Sequence, residues 1–295
     1  RPFKSKWLTS CFGISKQAYY KRLKSQQIKE NNEEILIQLV KKWRDIVGQE
    51  SGGRKLLDYM KNDLKNYQIK IGRDKFFEFL RNHNLLVKKT KRYHITTDSK
   101  HHFYKYKNLV KDKVPTRAEQ LWVSDITYIK TDKGHNYLAL ITDAYSKQIM
   151  GYQLDNHMRT ELCLDALKMA LKNRKYPNKE LIHHSDRGLQ YCNPNYTLFA
   201  QENNLKISMT EQYDPYENAI AERINRTLKY EYALKQTIKT TKLAQKITKK
   251  AIFIYNNIRT HWSLELNTPS HVHLNQNVPY KSYRKNKQKL ELLTF

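Results

Sequence analysis

Apolar positions recur at helical spacing through the first third of the chain and alternate or cluster at strand spacing thereafter. Ile35, Leu36, Leu39, Val40 and Trp43 form one helical stripe; Leu56, Leu57, Met60 and Leu64 follow Gly52 and Gly53; Phe76, Phe77, Phe79 and Leu80 follow Gly72. Each stripe is the core-facing side of an amphipathic helix, so 32–87 is expected to fold as a compact three-helix unit. Upstream, 1–27 reads as a helix, a turn at Gly13, and a second helix capped by Ser15. That second helix carries Gln17, Tyr20, Lys21 and Lys24 on one face. From residue 121 the pattern changes. Leu121–Ile129, Tyr137–Thr142 and Gln148–Leu154 read as strands joined by short turns, and strands this close pair as antiparallel hairpins. A helix over 160–174, a strand at Leu181–His184, a helix over 194–204, a strand at Lys206–Met209 and a long helix over 216–235 complete a mixed five-stranded sheet covered by helices. The fold class is therefore multidomain, all-α first and α/β after.

Charge sharpens this division. The 295 residues carry a net charge of +27, which implies a polyanionic partner. Residues 1–115 hold 28 Lys and Arg against 11 Asp and Glu, residues 116–240 hold 17 against 15, and residues 241–295 hold 10 against 2. A near-neutral centre between basic flanks is not how a surface evolved only for solubility distributes its charge. Two short helices with a glycine turn suit a helix-turn-helix, whose second helix enters the major groove, although a plain helical hairpin has the same spacing. Over 88–116, lysines and arginines, Lys91 and Arg92 among them, alternate with Tyr93, Phe103, Tyr104 and Tyr106. This is expected to be a linker that lies along a phosphate backbone without reading sequence, with a plain solvated loop as the alternative. A basic tail closes the chain over 276–295.

Other classes recede. No apolar run approaches the ~20 residues of a membrane-spanning helix. Cys11, Cys163 and Cys192 are odd in number and far apart, which argues against a disulfide framework or a zinc knuckle and fits a reducing compartment.

Within the neutral centre, Asp125 sits inside a strand, Asp186 just past the end of another, and Glu222 on a helix able to pack beside that sheet. Phosphodiester chemistry needs attacking and leaving oxygens stabilised together, which two divalent ions can do, and hard ions such as Mg²⁺ take oxygen ligands. Spacing alone leaves open the plainer reading of each as a surface or turn carboxylate. Glu222, Arg226 and Lys229 stand at i, i+4 and i+7, hence on one helix face, so the two cations would project along one groove; a Glu222–Arg226 surface pair is the alternative. Asp143 reads as the start of a turn with Tyr145 and Ser146, and His184 as a neighbour shaping the strand end.

Several ordered motifs carry a resemblance. They are Trp122-Val-Ser-Asp125-Ile-Thr-Tyr128, His184-Ser-Asp186-Arg-Gly188-Leu-Gln-Tyr191, Tyr216-Glu-Asn-Ala219-Ile-Ala-Glu222, Leu228-Lys229-Tyr-Glu231, and Arg259-Thr-His261-Trp-Ser-Leu264, with 35 residues between Asp186 and Glu222. Residues 117–275 resemble the catalytic core of orfB-type insertion-sequence transposases, relatives of retroviral integrases with an RNase-H-like fold. The resemblance implies Asp125, Asp186 and Glu222 as catalytic metal ligands for two Mg²⁺ or Mn²⁺ ions. It also implies Lys229 as a DNA contact and double-stranded DNA, element ends and target, as partner. A homodimer or larger assembly, an upstream-frame DNA-binding segment, and a bacterial cytoplasmic, nucleoid-associated location follow from it as expectations. Glu217 stands where the group usually has Asp, and Tyr213-Asp214 where it has Gly-Asn; both bear on the loop before the catalytic helix. The rival readings are a non-catalytic helix-turn-helix regulator or element remnant, and a structure-selective nuclease with the same core, which explains the metal site but not the basic flanks as well.

Overall fold

The computed structural model describes residues 13–87, 102–111, 113–211 and 218–280, and the backbone of Glu291 and Leu292. The chain divides into two compact units, residues 1–46 with 51–88, and residues 47–50 with 89–295.

The helical unit differs from its expected layout in two places. The helices expected on either side of residues 28–31 are one continuous helix, α1 (Lys16–Val47). Nothing in Gln26-Gln-Ile-Lys-Glu-Asn-Asn-Glu33 breaks a helix, and Gln26–Glu30 and Lys29–Glu33 link successive turns across the join. The first helix of the expected helix-turn-helix lies outside the described residues. In contrast, the stripe Leu56 to Leu64 is split at Met60 into α2 (Gly53–Tyr59) and α3 (Lys61–Asn66), with α4 (Arg73–Asn82) following. The predicted apolar residues do form the core: Leu36, Leu39, Val40, Leu56, Met60, Leu64, Phe76, Phe79 and Leu80 are buried together. Asp63 fixes α3 to α1 by accepting hydrogen bonds from Trp43 Nε1 at 2.8 Å and Lys42 Nζ at 3.1 Å. The stretch of α1 from Tyr20 to Asn31 is exposed throughout.

The second unit is built on five strands: β1 (Leu121–Thr131), β2 (Gly134–Asp143), β3 (Ile149–Asp155), β4 (Leu181–Ser185) and β5 (Leu205–Met209), in the order β3-β2-β1-β4-β5. β1–β2 and β2–β3 are antiparallel; β1–β4 and β4–β5 are parallel. Strand alternation sends neighbours to opposite faces. On β2, Ala139 and Ile141 join the core under α5 (Thr160–Lys172), α6 (Leu189–Cys192) and α7 (Pro194–Glu202). Leu138 and Leu140 join the opposite core, under α8 (Ala219–Glu231) and α9 (Thr241–Asn257). α5 rests so close on β3 that a Cβ at Gly151 would fall 2.1 Å from the Ala166 carbonyl oxygen. A 3-10 turn (Trp262–Leu264) and α10 (Pro269–Asn275) follow. The five strands and the antiparallel hairpin pairing of the first three agree with the reading from sequence; the short parallel pair Lys113–Val114 with Glu291–Leu292 was not expected. The helix expected over 216–235 is shorter, and the described residues add α6 and α10. The expected basic tail falls largely at 281–290, and Lys91 and Arg92 likewise lie outside the described residues.

Candidate functional site

The parity of β1 decides where Asp125 points. Trp122 and Ile126 serve the α5 side and Ile129 the α8 side, so odd-numbered Asp125 faces α8. There its carboxylate accepts hydrogen bonds from Asn225 Nδ2 at 2.8 Å and from the Ile126 amide at 2.9 Å. Burial, then the charge of Asp186, and also that of Glu222, push the Asp125 carboxyl up to about 7, against these two hydrogen bonds. The charges of two other segments thus act on Asp125.

Asp186 follows the last residue of β4, where parallel pairing with β1 sets Val123 beside His184. Its Oδ1 accepts the Gly188 amide at 3.1 Å; a Cβ on Gly188 would lie only 3.0 Å from that oxygen, so the glycine lets the loop fold back on the carboxylate. Glu222 stands in the first turn of α8, its residue exposed but its carboxyl shielded enough to be pushed upward by burial.

The rest of α8 sorts the predicted cations. Lys229 is half-buried, its Nζ 4.1 Å from the centre of the Tyr128 ring on β1. Burial lowers its proton affinity and the Asp125 charge partly restores it. Arg226 is exposed, its guanidinium 5.8 Å from the Tyr230 ring, and among the described residues no ion pair joins it to Glu222. Gln17, Lys21 and Lys24 are exposed on α1 of the other unit.

Two side chains of this site were not singled out from sequence. Asn225 holds Asp125, and Asn218, at the N-terminus of α8, donates to the Ser124 carbonyl at 2.9 Å. Both amide oxygens are buried without a hydrogen-bond partner. The signal was present: 218, 222, 225 and 229 advance by 4, 3 and 4, a polar stripe along one helix face. The histidines before Asp186 are committed elsewhere. His183 Nε2 lies 2.7 Å from the Tyr196 hydroxyl and 3.3 Å from Ser124 Oγ, and burial drives its proton affinity down to about 3. His184 Nδ1 is 2.9 Å from Ser208 Oγ on β5.

A second group of ionisable residues lies on the far side of β2. Asp143, Glu119 and His273 are fully buried. Glu119 accepts from the Lys175 and Tyr176 amides at 2.6 and 3.0 Å and from Arg174 Nε at 3.3 Å, with His273 Nε2 at 3.2 Å. Asp143 accepts from the Glu119 and Ser146 amides and the Ser146 hydroxyl, each at 2.7 Å. Burial opposes the charge on all three, yet hydrogen bonds and mutual attraction win. Both carboxyls end below their usual range, and the imidazole is raised to about 9. Asp143 does start the predicted turn, and it also anchors this buried cluster.

A five-stranded mixed sheet in the order β3-β2-β1-β4-β5, with carboxylates at the β1–β4 junction and on the helix packed over it, defines an integrase-type catalytic core. Models of the Integrase core domain match residues 115–215 and 203–269. The chain is 34% identical to the Insertion element IS600 uncharacterized 31 kDa protein of Shigella sonnei, over 75% of this chain and 80% of that one. It is 38% identical to transposase InsF for insertion sequence IS3A of Escherichia coli K12, over 42% of each chain. Among solved structures, the HTLV-2 integrase catalytic core domain in complex with magnesium overlays at 18% identity over 53% of this chain and 97% of that one, TM-score 0.42. A simian T-cell lymphotropic virus intasome with PP2A regulatory subunit B56 gamma does so at 13% over 80% and 76%, TM-score 0.47.

This chain belongs to the insertion-sequence DNA transposases of the DDE class, within the RNase-H-like superfamily. The reading as a non-catalytic regulator is not favoured by these matches. No helix among the described residues is long and apolar enough to cross a membrane.

Proposed function

We propose that Asp125, Asp186 and Glu222 form the catalytic centre and hold two divalent ions, Mg²⁺ or Mn²⁺, for hydrolysis at the element's ends followed by transfer of the freed 3′-hydroxyl into target DNA. The observation that supports this is the placement of Asp125, on β1 facing α8, where Asn225 donates to it at 2.8 Å and burial with the charges of Asp186 and Glu222 pushes its carboxyl up to about 7. Such a pocket binds a cation at the expense of a proton. The donor set suits a hard ion: three carboxylates, with the adjacent His183 and His184 occupied by Tyr196, Ser124 and Ser208. Among the described residues no three His, Cys, Asp or Glu side chains already stand close enough to grip one ion. In this reading Glu222, on the exposed side, closes onto the other two as the site fills. The overlay with a magnesium-bound integrase core is in keeping with such a site.

The ions, when bound, would stabilise the attacking and leaving oxygens of an in-line displacement. The chain's own groups do the positioning. Asn225 fixes one Asp125 oxygen, the Gly188 amide fixes one of Asp186, and Asn218 ties the start of α8 to β1. Lys229, desolvated against Tyr128 and within reach of the Asp125 charge, would meet a phosphate beside the carboxylates. No nucleophilic side chain and no covalent protein–DNA link is required. Gln17, Lys21 and Lys24 on α1, Arg226 on α8, and Lys91 and Arg92 of the linker would supply further DNA contacts. Joining two ends calls for at least a dimer, and an upstream-frame partner or fusion remains part of this proposal.

The test is strand transfer in vitro with labelled element-end DNA, supercoiled target and Mg²⁺ or Mn²⁺, wild type beside Glu222→Gln. Joined products that need metal and vanish in the variant support the assignment; joined products from Glu222→Gln would overturn it.

A further inference from the structure

Helix α9 differs in charge from every other described helix of eight residues or more. Thr241–Asn257 contains four lysines and no acidic residue, whereas α1, α4, α5, α7 and α8 each contain Asp or Glu. Lys242, Lys246, Lys249 and Lys250 are all exposed, and among the described residues none makes an ion pair. They recur at i, i+4, i+7 and i+8, so three pairs place like charges one turn apart. This arrangement costs helix stability by repulsion, unlike α5, where Lys168 meets Asp165 at 3.2 Å. The opposite side of α9 is core: Ala244, Ala251, Ile252, Ile254 and Tyr255 are buried, so the lysines are held outward by packing.

We infer that this lysine face of α9 is a docking surface for the phosphate backbone of the target duplex. Lys242 to Lys250 spans about 12 Å of helix axis, against which a duplex presents on the order of seven phosphate charges. Lysine is a point charge that does not read base edges, and the face contains no arginine; the exposed Gln245 beside it has its amide engaged, donating to the Leu154 carbonyl at 3.1 Å. A surface of charge without readout suits DNA of arbitrary sequence, which is what a target is and an element end is not. The inference rests on the transposase reading for the identity of the duplex. The charge segregation itself stands without it.

The experiment replaces Lys242, Lys246, Lys249 and Lys250 by Gln, which keeps helix propensity, and compares it with Lys172→Gln/Lys175→Gln as a charge-removal control elsewhere. Binding to a random-sequence duplex is measured from 50 to 300 mM salt. The quadruple variant should lower the slope of log affinity against log salt by about 3 to 4, one contact being worth about 0.9. It should raise the target concentration for half-maximal strand transfer at least tenfold, leave cleavage of the element end unchanged, and melt no lower than the parent. An unchanged slope, or an equal loss in the control, overturns the inference. A loss confined to element-end DNA overturns the assignment to target. Phe253, 60% exposed just beyond Lys249 and Lys250, separates a protein interface: loss of self-association in Phe253→Ser with an intact salt slope in the lysine variant also overturns it. If the parent itself joins no DNA, the catalytic proposal fails, while the salt slope still decides the lysine face.

Discussion

Asp125 and Asp143 lie on paired strands of one sheet and are charged alike, yet their surroundings treat them oppositely. Asp143 sits among donors: two amides, a hydroxyl and an imidazole favour its charge, and its carboxyl stays ionised despite full burial. Asp125 has one amide and one carboxamide against burial and two other carboxylates, and its carboxyl rises to about 7. The difference separates a carboxylate satisfied by donors within the fold from one whose charge the fold opposes, which is the contrast the proposed metal site rests on. Acidic residues surrounded by donors hold structure together; one crowded by burial and other acids is a candidate for a functional role.

The largest effects should fall on opposite observables. Asp125→Asn, Asp186→Asn and Glu222→Gln should each reduce strand transfer by at least about 10³-fold with the fold retained, by circular dichroism and melting. Glu119→Ala or Asp143→Ala should instead cost about 3–5 kcal/mol in urea denaturation, because each leaves buried partners uncompensated. Full stability in either of these would erase the contrast.

pH sharpens it further. The folded-state proton affinity of His273 is raised to about 9, so its contribution is complete below its ordinary 6.5 and lost as pH rises through 9. Glu119 and Asp143 are depressed, so theirs is present above the ordinary carboxylate range and lost as pH falls below it. Asp125 is raised, so the fold loses stability as pH climbs from about 4 through about 7. In metal-free buffer Asp125→Asn should therefore gain about 1–3 kcal/mol at pH 8 and almost nothing at pH 4.5. Mg²⁺ should raise the melting temperature of the parent more at pH 8 than at pH 6, and not that of Asp125→Asn. A metal shift independent of pH would argue against binding at Asp125.

The smallest effect concerns the support of the site. Asn225→Ala should lower strand transfer about 10- to 100-fold by freeing the Asp125 carboxylate, with the melting temperature nearly unchanged, since it also removes a buried unpaired oxygen. A loss equal to that of Asp125→Asn would make Asn225 a member of the reacting set.

Much of this was legible without coordinates, and the exceptions have physical causes. Strand alternation and short turns delivered β1 to β3 because their pairing is local. The three proposed carboxylates are marked in the sequence by motif order; that Asp125 and Asp186 neighbour each other depends on the parallel β1–β4 pairing, which spacing alone does not reveal. The Glu119–His273 contact joins residues 154 apart, and no local pattern announces it. The continuity of α1 was hidden by reading helices as separate core stripes, although no breaking residue stands between Gln26 and Glu33. Asn225 escaped attention because an asparagine on a helix reads as surface until the strand beneath is placed.

The strand order also bears on how the enzyme is made. The β1–β3 meander is complete by residue 155, but β1 gains its second neighbour only with Leu181–Ser185, and Glu222 follows later still. During synthesis Asp125 therefore rides for some time on an open sheet edge, a strand exposed to stray pairing. If the proposed centre is the catalytic one, the growing chain is chemically silent through that interval, because Glu222 is translated after the sheet that carries Asp125 and Asp186.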